Sequence, residues 1–334
     1  MNQPINLTEF LKQHLLGGHS AALNAMLNDV IVACKQISIA IDQGALAGNM
    51  GSLATENVQG EVQKALDVIT NDIFIEAALK SGYVAGMVSE ELDKPVEMTE
   101  KHRKNGQYLL MFDPLDGSSN VNVNISVGTI FSILKSPNNH PELADFLQVG
   151  TAQVCAGYAL YGTSTMFVLT VGNGVNGFTL DKASNEFYLS HPNMQIATNT
   201  QEFAINMSNY RFWNEPVQRY IDECLQGEEG DRKKDFNMRW VASMVAEVHR
   251  ILVRGGVFMY PSDRKSKSGK LRLMYEANPM SFIVEQAGGA ATTGLQRILE
   301  VKPSGIHARV PVMMGCKSEV ERIVAYHQPK SKRK

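Results

Sequence analysis

The chain is organised around the stretch Tyr108-Leu109-Leu110-Met111-Phe112-Asp113-Pro114-Leu115-Asp116-Gly117-Ser118-Ser119-Asn120. It opens with an apolar run long enough to predict a buried strand. Pro114 fixes φ at the value that the second position of a type I or II turn needs, so we expect a sharp turn with Asp113 and Asp116 at its ends. Gly117 lets a ligand approach the backbone closely. Two carboxylates followed by small hydrogen-bond donors predict a place where a hard cation and a phosphate meet.

A second acidic strand end lies upstream, where a strand predicted over residues 83–88 runs into Ser89-Glu90-Glu91. Two such ends lying side by side in one sheet gather four carboxylates, which need counter-charge. Carboxylate and phosphate oxygens favour Mg²⁺ or Mn²⁺, whereas no paired His or Cys indicates zinc. Glu276 is a candidate fifth acidic ligand from the second half of the chain, and Asp67 stands between apolar residues of a predicted helix.

Composition indicates a globular protein without a nucleic-acid or membrane partner. The 334 residues, 44% of them apolar, suffice for one large domain or two ordinary ones. A net charge of -2 without a basic stripe gives no support to nucleic-acid binding. No apolar run approaches the roughly 18 residues of a membrane span, and the N-terminus lacks a signal-peptide pattern. The four scattered cysteines indicate a reducing compartment, so we expect a cytoplasmic protein.

The first half of the chain predicts helices packed on a mostly antiparallel sheet. Apolar residues at helical spacing indicate a short helix over 8–16 behind Thr8, a long helix ending near Gly44, and a third from about Glu61 to Lys80. Strand-like segments separated by short turns then follow, which is typical of an antiparallel meander. They cover residues 126–134, 154–161, 165–171, 174–180 and 186–190.

The pattern changes near His191-Pro192-Asn193 to alternating strands and helices, which predicts an α/β half with parallel pairings. The predicted strands include 203–207, and the predicted helices include one beginning near Val241. We therefore expect a mixed α+β protein of two domains. Residues 1–192 would bind metal and phosphate, and residues 193–334 would form an α/β domain that contributes to binding the substrate.

The acidic cluster favours metal-assisted transfer of a phosphoryl group to water. Divalent metals polarise the phosphate, activate a water and neutralise the leaving alkoxide, while a nearby carboxylate takes the proton. Tyr260, Lys270 and Arg272 offer polar and cationic groups for the substrate. An aspartyl-phosphate phosphatase is a mechanistic alternative, but it needs Asp-x-Asp where this chain has Asp-x-x-Asp. A non-enzymatic binding or regulatory protein is the alternative from another class.

Beyond the two acidic stretches, four motifs stand out: Asn57-Val58-Gln59-Gly60-Glu61, Ser126-Val127-Gly128-Thr129-Ile130-Phe131, Gly269-Lys270-Leu271-Arg272-Leu273 and Tyr275-Glu276-Ala277-Asn278-Pro279-Met280. Together these motifs resemble class I fructose-1,6-bisphosphatases, which are metal-dependent sugar phosphatases related to inositol monophosphatase. The resemblance covers nearly the whole chain and implies a layered α-β-α-β-α sandwich. It also implies a homotetramer that hydrolyses the 1-phosphate of D-fructose 1,6-bisphosphate in gluconeogenesis. Sedoheptulose-1,7-bisphosphatase or dual activity stays open because the sequence does not reveal sugar length.

The resemblance also implies roles for individual positions, and Arg239 would reach the site of a neighbouring subunit. Two or three Mg²⁺ ions, or Mn²⁺, would be held by Glu90, Glu91, Asp113, the Leu115 carbonyl, Asp116 and Glu276. The catalytic residues would be Asp67, Glu91, Glu61 and Arg272. The substrate would meet Asp116, Gly117, Ser118, Ser119, Asn206, Tyr210, Arg239, Met244, Phe258, Met259, Tyr260 and Lys270.

Some positions depart from the family pattern. Trp240 stands where Tyr is usual beside the 6-phosphate, and Glu61 replaces an Asp found in many relatives. At the AMP-inhibition site, Ser20-Ala21-Ala22-Leu23-Asn24 replaces Thr-Gly-Glu-Leu-Thr, and Gln107 and Lys135 stand where Lys and Arg are usual. Losing the Gly and the Lys weakens an anion cradle, so we expect AMP inhibition to be weak or absent.

Overall fold

The computed structural model describes residues 5–15, 20–47, 52–56 and 62–328. Its helices are α1 Leu7–His14, α2 Ser20–Gln43, α3 Ala65–Ala78, α4 Glu100–Arg103, α5 Leu143–Phe146, α6 Glu215–Leu225, α7 Met244–Arg254, α8 Asn278–Gln286 and α9 Lys317–His327. Its strands are β1 Ser52–Glu56, β2 Val62–Lys64, β3 Val84–Ser89, β4 Tyr108–Asp116, β5 Val127–Lys135, β6 Gln153–Tyr161, β7 Thr165–Thr170, β8 Asn176–Asp181, β9 Glu186–His191, β10 Glu202–Ala204, β11 Asn237–Met238, β12 Val257–Tyr260, β13 Leu271–Arg272, β14 Ala290–Thr292, β15 Arg309–Val310 and β16 Val312–Gly315. Within the described ranges, no helix combines the length and the apolar character that a bilayer crossing requires.

The larger sheet has seven strands in the order β3-β4-β5-β6-β7-β8-β9. β3 and β4 are parallel and the later pairs are antiparallel, which confirms the predicted meander. β4 is buried along its whole length. Because side chains alternate across a strand, Leu110 and Phe112 pack with α2 and α3, whereas Leu109 and Met111 pack with the turn before α8.

The smaller sheet has five strands in the order β11-β10-β12-β16-β14. Phe258 and Met314 on one of its faces join a core with α7 and α8, and Ile130 and Tyr158 of the larger sheet join the same core. Phe203 on the other face packs with α6 and α9. Helices α1–α3, the larger sheet, α7 with α8, the smaller sheet, and α6 with α9 therefore form successive layers. This confirms the mixed α+β class and the layered sandwich.

The prediction of parallel pairings in the second half is only partly right. β10 runs parallel to β11 and β12, but β16 is antiparallel to both β12 and β14. α8 returns the chain to β14, which runs in the same direction as β12, but no α-helix separates β14 from β16. β16 therefore reverses direction and lies antiparallel between β12 and β14, because a parallel return needs a longer crossover.

Several predicted ends are wrong by a few residues. The cap of α1 is Asn6 rather than Thr8, because Asn6 Oδ1 accepts a hydrogen bond from Glu9 N at 2.8 Å. The third helix, α3, begins only at Ala65 because strand β2 precedes it, and Glu61 lies outside the described residues. The helix expected near Val241 begins at Met244 instead, since Ala242 has a φ of +62°, which no right-handed helix adopts.

β10 is shorter than the strand predicted over 203–207. It ends at Ala204, and Asn206 caps a 3₁₀ turn, Met207–Phe212, through a hydrogen bond from Ser208 N to its Oδ1 at 3.2 Å. The strand ends here because the Asn206 side chain accepts a hydrogen bond from the nearby backbone, and Asn competes well for such donors.

The sharp turn predicted at Pro114 is replaced by a bulge. β4 continues to Asp116, and three steps along β4, from Asp113 to Asp116, face only two steps along β5, from Ile130 to Gly128. Proline has no N–H to give to a ladder, so it is tolerated where a bulge interrupts pairing. The bulge keeps both carboxylates at one strand end, which is the consequence that the turn was expected to have.

The identity of the α1 cap is testable with two alanine variants. Asn6→Ala should lower the free energy of unfolding by about 1 kcal/mol, because one N-terminal amide of α1 loses its acceptor. Thr8→Ala, at the position that the sequence had favoured, serves as the matched control and should cost clearly less. Chemical denaturation of both variants measures the difference, and a larger loss for Thr8→Ala would contradict the assignment.

Candidate active site

Three buried carboxylates meet at the end of β4. Asp113, Asp116 and Glu276 each place a carboxylate oxygen within 4.8 Å of the other two. Their exposed fractions are only 2%, 6% and 6%. The first two come from the bulged end of β4, and Glu276 comes from a π-helical turn, Leu273–Ala277, that leads into α8. The structure therefore brings together carboxylates from both halves of the chain, and we call this cluster the acidic centre.

Backbone amides orient two of these carboxylates. Leu115 N donates to Asp113 Oδ1 at 2.9 Å, and Arg272 N donates to Glu276 Oε2 at 2.5 Å. Single π turns within helices occur often at functional sites. Here the π turn allows Glu276 to point back to the amide that precedes it. The acidic centre is thus held in place by the chain itself, which is the arrangement a metal site requires.

The parallel pairing of β3 with β4 brings further acidic residues to the same edge. Glu90 N donates to Phe112 O at 3.1 Å, so the two strand ends lie side by side as predicted. Glu90, Glu91 and Asp67 line one cavity of about 470 Å³ together with the acidic centre. We call it the active-site cavity, and it is lined by Asp67, Glu90, Glu91, Asp113, Leu115, Asp116, Gly117, Ser118, Ser119, Tyr260, Lys270, Leu271, Arg272, Glu276 and Arg309.

Burial sets the charge of the acidic centre. Burial raises the pKa of Asp113 well above its usual range, and the negative charges of Glu90, Asp116 and Glu276 raise it further. Burial also raises the pKa of Asp116 to about 6, although hydrogen bonds from α7 oppose the rise. The pKa of Glu276 is raised well above normal by burial, then by Glu90 and Asp116. A divalent cation would relieve this repulsion, and a cluster of carboxylate oxygens fits Mg²⁺ or Mn²⁺.

Asp116 is also tied to the start of α7. Ser243 Oγ donates to Asp116 Oδ2 at 3.0 Å, and Val245 N donates to the same oxygen at 2.9 Å. The carboxylate therefore lies where the helix dipole favours negative charge. Gly117 has a φ of +76°, and a Cβ at this position would lie 2.7 Å from the Ser243 Cβ. Sequence reasoning missed Ser243, whose only signal was a serine placed just before a helix.

The residues after Asp116 offer the active-site cavity donors for an anionic substrate. Gly117, Ser118 and Ser119 begin a 3₁₀ turn, Ser118–Val123, at the cavity wall. Successive N–H groups after a left-handed residue form a concave nest that suits an anion. The structure thus places this predicted phosphate-binding stretch directly beside Asp116.

Cationic and phenolic side chains line the same cavity. Tyr260, Lys270 and Arg272 line the cavity, and Lys270 Nζ lies 5.8 Å from the centre of the Tyr260 ring. The pairing of β13 with β15 sets Arg272 opposite Arg309, which also lines the cavity. Arg309 was not predicted, because an arginine between Ala308 and Val310 carries no local signal and only strand pairing brings it here.

The remaining predicted substrate residues are not among those lining this cavity. The Tyr210 hydroxyl donates to Asp222 Oδ1 at 2.7 Å. Arg239 Nε lies 3.7 Å from Glu202 Oε1, and the Arg239 side chain is half exposed. Trp240, at the position where the family has Tyr, lies ring to ring 6.0 Å from Tyr260. The predicted substrate residues that do not line the cavity fall into three groups. Asn206 and Tyr210 belong to the capped 3₁₀ turn, Arg239 lies on the loop before α7, and the others are the buried Met244, Phe258 and Met259.

Two family models match successive parts of the chain. A family model described as "Fructose-1-6-bisphosphatase, N-terminal domain" matches residues 5–192, and one described as "Fructose-1-6-bisphosphatase, C-terminal domain" matches residues 196–328. A protein of Methylobacillus flagellatus named fructose-1,6-bisphosphatase class 1 is 59% identical over 327 residues, which is 97% of this chain and 98% of that protein. A protein of the same name from Halorhodospira halophila is 62% identical over 310 residues, 91% of each.

Solved structures agree with the sequence comparison. The crystal structure of Leishmania major fructose-1,6-bisphosphatase in holo form superposes with a TM-score of 0.90 at 36% identity, covering 97% of this chain and 99% of that one. The apo form of the same protein gives a TM-score of 0.86 at 35% identity over the same shares.

The repulsion within the acidic centre makes a prediction about stability. In EDTA at pH 7.5, Asp113→Asn should raise Tm by roughly 2–4 °C, the shift expected for about 1 kcal/mol, because one buried charge disappears while the Leu115 amide keeps an acceptor. A carboxyl group whose folded pKa is raised stabilises the fold below its unfolded pKa and loses that contribution as pH rises through the folded value. The gain should therefore shrink as pH falls towards 5.

Differential scanning calorimetry at the two pH values checks this expectation. The exposed Asp72→Asn on α3 is the control and should leave Tm nearly unchanged at both. A fall in Tm for Asp113→Asn at pH 7.5 without metal would contradict the account of the acidic centre.

Proposed function

The chain belongs to the fructose-1,6-bisphosphatase class 1 family and is a phosphatase, and on that premise we propose that it removes the 1-phosphate of D-fructose 1,6-bisphosphate with Mg²⁺ as cofactor. The observation that carries the proposal is the acidic centre, three buried carboxylates within 4.8 Å of one another beside an anion-binding turn. We extend the proposal to a role in gluconeogenesis in the cytoplasm. The four buried free cysteines support a reducing compartment.

The carboxylates would hold the cation, Mg²⁺ or Mn²⁺, with two or three ions in the site. Bound there, it supplies Lewis-acid polarisation of phosphoryl oxygens and neutralises charge on the leaving oxygen. Hard oxygen donors and the raised pKa of Asp113 and Glu276 support this assignment. The residues that would hold it are Glu90, Glu91, Asp113, Asp116, Glu276 and the carbonyl of Leu115.

The chain's own groups orient the substrate and move the proton. Gly117, Ser118 and Ser119 would donate hydrogen bonds to the 1-phosphate from the nest beside Asp116. Glu91 and Asp67 face the same cavity and would accept the proton of the attacking water. Glu61, which the resemblance places with them, lies outside the described residues.

Cationic groups would stabilise the phosphate charges. Arg272 and Arg309 lie opposite each other across β13 and β15 at the cavity, and Lys270 lies beside Tyr260. We propose that Lys270 and Tyr260 meet the 6-phosphate end of the sugar. The further residues on that side would be Asn206, Tyr210, Arg239, Met244, Phe258 and Met259.

We also propose a homotetramer, in which Arg239 would complete the site of a neighbouring subunit. The half-exposed Arg239 side chain outside the cavity of its own chain supports this part of the proposal. The two family models divide the chain between residues 192 and 196, which supports the proposed domains 1–192 and 193–334.

A phosphate-release panel tests the proposal. Purified protein should release phosphate from fructose 1,6-bisphosphate with Mg²⁺, and EDTA should abolish the activity. Sedoheptulose 1,7-bisphosphate and inositol monophosphate serve as competing substrates. Faster release from either of these, or activity that survives EDTA, would contradict the proposed substrate or cofactor.

Asp113→Asn should reduce kcat by at least about 100-fold, because a carboxylate aimed at the cation becomes a neutral amide. The exposed Asp72→Asn is again the matched control. Turnover of Asp113→Asn within tenfold of the wild type would sink the assignment of the acidic centre.

AMP titration of the same preparation tests the regulatory prediction. Ala22 and Leu23 are buried in α2, and Lys135, at the end of β5, pairs with Tyr108. We expect no more than weak inhibition, whereas inhibition by micromolar AMP would contradict the prediction.

A further inference from the structure

A loop between β11 and α7, residues 239–243, contacts the candidate active site from the C-terminal part of the chain. Ser243 Oγ donates to Asp116 Oδ2 at 3.0 Å. Asn120 Nδ2, at the end of the phosphate-binding stretch, donates to Val241 O at 3.0 Å. The loop therefore bonds to both ends of the turn that joins metal and phosphate, and its position decides how Asp116 is aimed.

Glu247, which is not among the residues lining the active-site cavity, bonds to the backbone of this loop. Its side chain is 0% exposed, and Oε1 accepts a hydrogen bond from Val241 N at 2.5 Å. Arg250 donates to Glu247 Oε2 from Nη2 at 3.0 Å and to Glu202 Oε2 from Nη1 at 2.5 Å. A fully buried carboxylate is tolerated only when it is paired and hydrogen-bonded, and this one uses one oxygen for the loop backbone and the other for Arg250.

The backbone of the loop explains why a brace is needed. Ala242 has a φ of +62°, in the left-handed region. Alanine populates this region roughly ten times less than the right-handed helical region. Its two neighbours, Val241 and Ser243, make the bonds to Asn120 and Asp116. Relaxation of Ala242 would therefore move both contacts at once, and strained residues of this kind persist only where the surroundings hold them.

We propose that Glu247, held by Arg250, is a positioning residue for the phosphatase reaction. It keeps residues 241–243 in the strained conformation that lets Ser243 orient Asp116, and it touches neither substrate nor cation. This proposal rests on the proposed function, because it requires Asp116 to take part in the phosphatase reaction.

Kinetics of Glu247→Ala test the proposal against a matched control. We expect kcat to fall by about 10- to 100-fold, the effect of a small misplacement of a catalytic group. The Mg²⁺ concentration for half-maximal activity should also rise. Glu223→Ala is the control, since Glu223 is also buried and paired, with Arg322 and Tyr326, but lies on α6. It should lower Tm while kcat and Mg²⁺ dependence stay at wild-type values, both assayed well below either Tm.

A rescue experiment separates positioning from general damage. Glycine adopts a positive φ freely. The double variant Glu247→Ala with Ala242→Gly should therefore have a kcat at least about fivefold higher than Glu247→Ala alone. Added to Ser243→Ala, the same change should restore nothing, because the bond to Asp116 is then missing. Equal losses for Glu247→Ala and Glu223→Ala, or no rescue, would overturn the proposal.

A spectroscopic readout tests the loop position independently of activity. The chain has two tryptophans, Trp240 in the loop and Trp213 just before α6. In protein labelled with 5-fluorotryptophan, Glu247→Ala should shift the ¹⁹F resonance of Trp240 and leave that of Trp213, and Ala242→Gly should reverse the shift. An unmoved Trp240 resonance overturns the positioning proposal. A wild-type protein with normal spectra but no Mg²⁺-dependent release of phosphate overturns the proposed function instead.

Discussion

Mutual repulsion among buried carboxylates is the constraint on which the rest of this structure depends. Asp113, Asp116 and Glu276 are buried and lie within 4.8 Å of one another, and Glu90 adds a further negative charge. Left to themselves, such groups take up protons or move apart. The fold prevents separation by embedding two of them in a fully buried strand and the third in a hydrogen-bonded π turn. The fold is therefore less stable at the position where a cation is needed, and such a loss of stability is common at functional sites.

The layered arrangement follows from the need to bring both parts of the chain to one edge. α7 and α8 share one core with both sheets, so the acidic end of β4 faces the start of each helix. Asp116 accepts its hydrogen bonds from α7, and Glu276 leads into α8. A displacement of α8 relative to the larger sheet would therefore move Glu276 away from Asp113 and Asp116, which links the packing of the core to the chemistry of the site.

The features that the sequence predicted are local ones. Asp113, Asp116, Glu90 and Glu91 directly follow apolar runs, and the meander follows from short turns between strands, so each was readable within a few residues. The bulge that replaces the expected turn could not be predicted from neighbouring residues, because pairing with β5 decides whether the strand continues past Pro114. Ser243, Arg309 and Glu247 were missed for a related reason: their roles arise from contacts between distant segments, and nothing beside them in the sequence indicates the partner.

Crystals grown with Mn²⁺ would show whether the acidic centre holds cations. Anomalous diffraction at the manganese edge locates bound ions without reference to activity. The account predicts anomalous peaks at coordination distance, about 2.2 Å, from carboxylate oxygens of Asp113, Asp116 and Glu276, and their loss in crystals of Glu276→Gln. Peaks confined to other parts of the surface, or an acidic centre that stays without an anomalous peak at millimolar Mn²⁺, would contradict it.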